Sequence, residues 1–399
     1  MEKIDFPISI SRRQFIESMA ILGAAGFSGC RTRGRLAFPE LKASGRAGDL
    51  GLAHGRAFAP QIGFNLEFYK RWLSHSGEYS IDRLLQLAKA FVPVIGEHFP
   101  DMMEEMEGIA SGAGKKTEEI VLINARTDIS AIVERESQRL EIPACTSLAL
   151  FGQIEDRPAL ALGQNWDWDP LLAKAPVVLR LEPANAPRLV TLVEAGMLAK
   201  IGFNQHRLGV CLNFLSHTAD GRPGHFGIPI HCLLRAVLRC ASVEQAVQII
   251  ESSPRCASAN FLLAQHDARG PKALDLEINP DTVARLTRTG NRLIHTNHFL
   301  SPGVAAGCTS GRGPSTMNRY ATAEKLAQVL EESEADPGKR MRQILVSREG
   351  LPYPISRDRN PDPSSSTLSG IVMDLTRNRL LLTNGPPHRS PWIERPGVA

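Results

Sequence analysis

Two packed sheets covered by helices, an α+β arrangement behind a helical prologue, is the fold that the order of elements in this 399-residue sequence predicts. Three observations carry it. Apolar residues recur at helical spacing over 64–121, the texture changes after Glu141 to short alternating segments divided by turn residues, and two helical stretches interrupt those segments at 230–240 and 243–252.

In the prologue, Leu84, Leu85, Leu87, Ala88 and Phe91 make one apolar stripe, and Met102, Met103, Met106, Ile109 and Ala110 make another. Gly108 and Gly112-Ala113-Gly114 are expected to break the second helix, and Thr117-Glu118-Glu119-Ile120 to open a new one with a capping residue at its start. Strands are expected at 146–153, 159–163, 177–182, 188–194 and 209–214 before the helix pair. After it they are expected at 261–266, 273–278, 282–288, 369–374 and 379–383, with Pro361-Asp362-Pro363-Ser364-Ser365-Ser366 as a loop leading into the last two. No internal repeat is visible.

Composition narrows the function classes. With 43% hydrophobic and 22% charged residues the chain is that of an ordinary globular enzyme with a large core. Its net charge of +4 is small for the length and its basic residues are scattered, which argues against a nucleic-acid surface. The seven cysteines contain no CxxC pair, so neither a zinc ribbon nor a thioredoxin-like site is indicated, and Cys211, Cys232, Cys240, Cys256 and Cys308 read mainly as small buried apolar residues.

Residues 1–30 read as a targeting segment. Ser11-Arg12-Arg13-Gln14-Phe15-Ile16 is a twin-arginine pattern, and the weakly apolar run over 19–27 is too short to span a bilayer. Ser28-Gly29-Cys30 resembles a lipoprotein cleavage site with Cys30 as the lipid attachment point, although Phe27 stands where an aliphatic residue is usual. The expectation is a protein folded before export, periplasmic or held at the membrane by its signal or a lipid.

Cys145 is the candidate nucleophile. It follows a small residue, precedes a hydroxyl residue and opens a strand-like stretch, a setting in which self-cleavage between Ala144 and Cys145 gives a new chain terminus. A thiol of ordinary pKa near 8.5 is only a few per cent thiolate at neutral pH, and a free α-amine with pKa near 8 can take its proton within one residue. Before cleavage that nitrogen is an amide and cannot act as a base, so cleavage is the activation step. Gly163-Gln164-Asn165-Trp166-Asp167-Trp168-Asp169 then packs amides, carboxylates and tryptophans into seven positions. Trp166 and Trp168 are expected to pack a pocket wall, and Asp169 to close a turn before Pro170.

Several blocks in this order resemble the isopenicillin N acyltransferase family, cysteine members of the N-terminal nucleophile (Ntn) hydrolases. They are Glu107 to Gly114, Leu122 to Ile129, Cys145-Thr146, Gly163 to Asp167, Leu212-Asn213-Phe214-Leu215, Ser258-Ala259-Asn260-Phe261-Leu262-Leu263 and His295-Thr296-Asn297-His298-Phe299-Leu300, and the likeness runs from about Gly45 to the C-terminus. The resemblance implies a four-layer αββα fold, synthesis as a proenzyme with a prologue at 31–144 and a catalytic part at 145–399, and cleavage before Cys145 through an ester intermediate. One departure is Ala144, where the family's best-known member has Gly; Ala keeps the position uncrowded. By the resemblance, Asp167 orients the new ammonium, Asn260 is the oxyanion-site asparagine with Asn213 as the second candidate, and Arg319 sits near the nucleophile or on a helix surface. Arg126 serves processing or anchors the prologue by pairing with Asp128 or Glu107.

Losing one oxyanion donor typically costs on the order of 3 kcal/mol of barrier, which is why fixed carboxamides beside apolar strand residues point to a specific task. His295 and His298 lack a third ligand and an HExxH pattern, so they are read as structural histidines, with no metal and no cofactor expected. No GxSxG elbow is present. The function expected is hydrolysis or exchange of a non-peptidic amide of a small molecule through an acyl-Cys145 intermediate, by an α/β pair cut from one precursor. Penicillin-type acyl exchange, N-acyl amino acid or acyl-amine hydrolysis and release of β-alanine all fit, and export disfavours acyl-coenzyme A as donor. The rival expectation is an exported binding protein or cell-envelope lipoprotein that keeps the fold without catalysis.

Overall fold

The computed structural model describes residues 38–74, 79–137, 144–309, 313–359 and 365–398. The targeting segment with Cys30, and the loop at 361–364, lie outside the described residues.

The prologue begins with β1 (Glu40–Gly45) and continues as α1 (Ala47–Ser74), α2 (Ile81–His98), α3 (Pro100–Ala113), α4 (Thr117–Asn124) and α5 (Arg126–Ser137). Then come β2 (Ala144–Ile154), β3 (Arg157–Trp168), β4 (Pro176–Pro183), β5 (Leu189–Glu194), β6 (Ile201–Asn204) and β7 (Leu208–Phe214). The helix pair α6 (Ile230–Val237) and α7 (Val243–Ser252) leads to β8 (Ala259–Asp267), β9 (Gly270–Ile278), β10 (Val283–Leu286) and β11 (Arg292–His295). The chain closes with α8 (Pro302–Ala305), α9 (Pro314–Glu331), α10 (Pro337–Leu345), β12 (Ser366–Asp374), β13 (Arg379–Leu382) and β14 (Ile393–Pro396).

The strands form two sheets, one ordered β1-β4-β5-β6-β7-β8-β9-β10 and the other β11-β2-β3-β12-β13-β14. All pairings are antiparallel except β1 with β4, which runs parallel from Glu40 opposite Val178 to Gly45 opposite Pro183. The prologue thus contributes an edge strand to a sheet otherwise built after Cys145, and both parts fall in one compact unit.

The sheets face each other through one large apolar core that also takes in the prologue helices and the α6–α7 pair. Behind the second sheet, Leu148, Leu150, Ala161 and Val372 pack on Ala323, Ala327, Met341, Ile344 and Leu345 of α9 and α10. The layers are therefore helix, sheet, sheet, helix, the αββα order expected.

Two helix boundaries differ from the sequence reading for identifiable reasons. Helix α3 runs through Gly108 and Gly112 and ends at Gly114, whose φ of +63° takes the left-handed cap conformation. The interior glycines let α1 and α3 touch backbone to backbone. A Cβ on Gly108 would lie 2.4 Å from the Gly48 carbonyl oxygen, and one on Gly51 would lie 2.0 Å from that of Glu105. Gly108→Leu is accordingly expected to cost ~1–3 kcal/mol or more by overpacking, read as a lowered midpoint in urea; an unchanged midpoint would show that the helices do not cross here. At α4 the cap position falls on Lys116 rather than Thr117, and Glu119 reaches back to the Lys116 N–H at 3.0 Å.

Candidate active site

Cys145 is the second residue of β2 and is 4% exposed. Register places it opposite Trp166 of β3 and places Ser147 opposite Gln164, and the two-residue period of a strand sends these four side chains to the face between the sheets. There the Gln164 carboxamide grips the β7 backbone, donating to the Leu212 carbonyl at 2.7 Å and accepting from the Leu212 N–H at 3.0 Å. Ser147 donates to Asn213 Oδ1 at 2.5 Å. Asn165 faces the other way and donates to the Leu345 and Ile355 carbonyls, both at 2.9 Å.

Two side chains distant in sequence hold the backbone of Cys145. Asn297 Oδ1 accepts the Cys145 N–H at 2.8 Å, while its Nδ2 donates to the Phe214 carbonyl at 3.0 Å. Arg319 of α9, 1% exposed, donates to the Cys145 carbonyl, to Thr146 Oγ1 at 3.0 Å and to Asn297 Oδ1 at 3.0 Å. Burial pulls the Arg319 guanidinium down to about 10, and the Asp167 carboxylate opposes that shift. The same helix supplies Thr316, whose hydroxyl accepts the Asn297 N–H at 2.8 Å.

Asp167 pairs in register with Ala144, on the opposite face of β3 from Trp166. Its Oδ1 accepts the Thr367 hydroxyl at 2.6 Å, and its Oδ2 has no partner among the described residues. The β12 register slips between Thr367 and Ser369, just where β12 meets Asp167 and Trp166. Burial pushes the Asp167 carboxyl up to about 6 against the pull of Arg357 and Arg319. Burial likewise lifts the Cys145 thiol above its ordinary value; the Asp167 charge adds to this and the Lys200 ammonium works against it.

That ammonium belongs to a buried charge cluster which the sequence reading missed. Lys200 Nζ lies 3.6 Å from the centre of the Trp166 ring and 2.7 Å from Glu194 Oε1. Glu194 also receives Arg126 at 3.2 Å and the Tyr69 hydroxyl at 2.5 Å, and Trp168 donates its indole N–H to that hydroxyl at 3.1 Å. Burial pushes the Glu194 carboxyl upward, but Lys200 and Arg126 outweigh it and hold it at about 2; burial brings Lys200 down to about 8. Arg126 therefore pairs with Glu194 and stacks over Tyr69 at 4.7 Å, which corrects the expectation of Asp128 or Glu107. Asp128 instead caps α6, accepting the Ile230 N–H at 3.0 Å, because that helix start is buried and needs an acceptor.

Asn213 and Asn260 are cross-strand partners on β7 and β8. Asn213 Nδ2 reaches the His295 carbonyl at 3.5 Å, a weak contact that leaves the donor largely available. Asn260 Nδ2 donates to the Asp275 carboxylate and, at 3.4 Å, to the Leu276 carbonyl. The carboxylate can accept but not donate, so the amide nitrogen faces it with one of its two N–H groups, and the other makes only the longer contact to Leu276. The asparagine that touches Cys145 is Asn297, which lies in a block quoted above for its histidines. His295 and His298 engage Glu277 and Thr316, and Asp169 accepts the Leu171 N–H at 2.8 Å to close its turn.

A cavity of about 510 Å³ opens beside Phe214, the anchor of Asn297, with Ala131, Glu134, Leu215, His217 and Ser258 in its walls. Among the described residues no cluster of three or more His, Cys, Asp or Glu is arranged to hold a metal ion, and no helix is long and apolar enough to cross a membrane. A Ser–His–Asp contact away from Cys145, Ser356 to His388 at 2.7 Å and His388 to Asp358 at 3.1 Å, has its serine wholly buried. The thiols of Cys211, Cys232, Cys240 and Cys256 are buried and free, and Cys308 is half-buried.

A family model described as acyl-coenzyme A:6-aminopenicillanic acid acyl-transferase matches residues 154–389. The acyl-coenzyme A:6-aminopenicillanic-acid-acyltransferase 40 kDa form of Emericella nidulans is 27% identical over 350 residues, covering 86% of this chain and 92% of that protein. Among solved structures, an ortholog of N-acylethanolamine-hydrolyzing acid amidase from Caenorhabditis elegans aligns at 18% identity and a TM-score of 0.41, over 58% of this chain and 93% of that one. Penicillin V acylase from Agrobacterium tumefaciens aligns at 18% identity and a TM-score of 0.40, over 60% of this chain and 82% of that one.

Proposed function

Because this chain belongs to the acyl-coenzyme A:6-aminopenicillanic acid acyl-transferase family, we propose that it is a self-processed cysteine hydrolase or acyltransferase that acts on a non-peptidic N-acyl bond through an acyl-Cys145 intermediate. The observation that carries the proposal is the convergence on one backbone nitrogen. The Cys145 N–H meets Asn297 Oδ1 at 2.8 Å, and Asp167, with a buried Oδ2 that lacks a donor among the described residues, stands beside Ala144.

In the precursor, the Cys145 thiol adds to the Ala144 carbonyl and the C–N bond breaks. The Ala144 acyl group moves to sulfur as a thioester, the Cys145 nitrogen becomes an amine, and water hydrolyses the thioester. The freed ammonium gives Asp167 Oδ2 the donor it lacks and brings a positive charge beside a carboxyl that burial has pushed up to about 6. That charge stabilises the carboxylate, and the carboxylate in turn holds the amine in place.

In turnover the neutral amine takes the thiol proton and the thiolate adds to the substrate's acyl carbon. Asn213 Nδ2, poorly engaged at 3.5 Å, is the donor offered to the developing oxyanion. The tetrahedral adduct expels the substrate amine, which takes the proton, and leaves the acyl thioester on Cys145. Water, or an acceptor amine, then attacks the thioester and regenerates the thiol. Arg319 keeps the Cys145 carbonyl fixed throughout, and Lys200, poised over the ring beside the sulfur, favours its thiolate. The 510 Å³ cavity beside Phe214 is the space offered to the substrate. Export by the twin-arginine route, which residues 11–16 motivate, would place this chemistry away from acyl-coenzyme A and favour water as the acceptor.

A thiol-reactive probe on native protein tests the assignment. Selective labelling of a peptide that begins at Cys145 is expected, with Cys308, the half-buried thiol, labelled more slowly. Labelling at Cys308 with none at Cys145 would favour a non-catalytic binding protein instead.

A further inference from the structure

Asn297 lies in the segment just after β11, where no regular structure holds it, so its position must be set by side chains. From α9 comes Thr316, already described. From the other sheet comes Glu277 of β9, a fully buried carboxylate that receives three donors. Its Oε1 accepts His295 Nε2 at 2.9 Å and the Leu300 N–H at 2.5 Å, and its Oε2 accepts the Ser301 N–H at 2.9 Å. These contacts bracket Asn297 on both sides, two residues before and three and four residues after.

His295 completes the arrangement in its charged form. Its Nε2 faces the Glu277 carboxylate and its Nδ1 faces the Thr296 carbonyl at 2.8 Å. Both partners are acceptors, and only the imidazolium donates from both ring nitrogens. Burial opposes that charge, but Asp275 and Glu277 raise the His295 pKa above its ordinary value. The titratable groups around it are Asp275 and Glu277 on β9, His298 beside the Thr296 hydroxyl, Tyr320 of α9, whose phenol feels the Asp275 charge, and the Cys211 thiol of β7; β2 and β7 also present the neutral Ser147–Asn213 pair.

We propose that Glu277 is a positioning residue for Cys145 chemistry, a latch that acts through the His295 imidazolium and the Leu300 and Ser301 backbone to hold Asn297 against the Cys145 nitrogen. The proposal rests on Cys145 being the self-processing nucleophile. A group whose folded pKa is raised stabilises its site fully below the ordinary value and loses that stabilisation as pH climbs through the raised one. The latch is therefore fully closed below the ordinary imidazole value near 6.5 and opens as pH climbs through the raised one.

Glu277→Gln is the test. A glutamine offers one acceptor oxygen to three donors and turns an NH2 group toward one of them. Against wild type, at matched thermal stability, kcat for an N-acyl substrate is expected to fall at least tenfold with KM within about threefold, and precursor cleavage to slow similarly. Its upper pH limb in kcat is expected to move to lower pH, because the imidazolium has lost a paired carboxylate. Glu277→Asp, which keeps the charge, is expected to recover part of both. In a crystal structure of the Gln variant, Asn297 Oδ1 is expected to leave hydrogen-bond distance of the Cys145 nitrogen. A folded Gln variant that cleaves and turns over at wild-type rates, with Asn297 unmoved, overturns the latch. If wild type itself neither cleaves nor turns over, the enzymatic reading fails instead, and the crystal structure alone decides the latch: Asn297 displaced supports it, Asn297 in place overturns it.

Discussion

Cys145→Ala is expected to give a folded protein that stays a single chain and loses turnover of any N-acyl substrate by on the order of 10⁴-fold or more, the scale on which removal of a covalent nucleophile is felt. Both losses have one cause. In the proposed mechanism the sulfur that attacks the Ala144 carbonyl in the precursor is the sulfur that later carries the acyl group, and no other thiol is placed to stand in for it. Cys211, on the facing strand β7, is wholly buried, and burial drives its thiol well above its ordinary value. Folding should be nearly unaffected, because Ala replaces a small buried side chain whose backbone, not its sulfur, carries the contacts to Asn297 and Arg319. Gel analysis reads the cleavage, circular dichroism the fold, and product formation the turnover. A variant that still cleaves, or still turns over at more than a trace of the wild-type rate, would remove Cys145 from the mechanism.

Asn297→Leu and Asn260→Leu are expected to fail differently. Asn297 accepts the Cys145 N–H and one Arg319 donor, so leucine leaves a buried guanidinium short of an acceptor and frees the nitrogen that the proposal turns into the amine. Slowing of both self-cleavage and kcat by roughly 10²- to 10³-fold is expected, the cost of losing one fixed polar partner at a reacting group. Asn260 donates to Asp275, whose other oxygen already lacks a partner among the described residues. Leucine there orphans a buried carboxyl, at a cost of ~1–3 kcal/mol in stability, while cleavage in the folded fraction continues near the wild-type rate. Denaturant midpoints and single-turnover rates for the pair separate the two roles. The reverse pattern, with Asn260→Leu inactive and Asn297→Leu nearly normal, would return the oxyanion assignment to Asn260.

The contrast between these asparagines shows where sequence reading reaches its limit. Short apolar segments bounded by turn residues located β2, β3, β7, β8 and β9, because strands buried largely on both faces stand out as brief apolar runs between turns. The edge strand β1, Glu40–Gly45, carries the polar sequence ELKASG and gives no such signal. Helices α9 and α10 went unpredicted; α9 has polar residues distributed around much of its surface, with Arg319 itself turned inward to Cys145. Cys145, Asp167 and Arg319 were legible from local motifs and the family resemblance, and the structure brings all three together. Asn297 sat in a visible block, but its role depends on β11 running beside β2, a pairing between residues about 150 apart. Glu194 and Lys200 carry no local signature at all. Their burial makes sense only once Arg126 and Tyr69 arrive from the prologue helices to share the charge.

Glycine spacing was read with the right residues and the wrong consequence. Gly108 and Gly112 look like breakers in isolation because each costs ~1 kcal/mol in a helix interior relative to Ala. The close approach of α1 makes them contact points instead, and that depends on a partner helix some 55 residues earlier.

The most direct measurement is the intact mass and N-terminal sequence of purified wild-type protein, followed over time after expression. Two chains are expected, the shorter-lived precursor giving way to a product that begins Cys145-Thr146-Ser147, with turnover rising in step with its appearance. A chain that remains uncut between Ala144 and Cys145 while turning over N-acyl substrate at its full rate would contradict the account, because the base assigned to Cys145 exists only after that bond is broken.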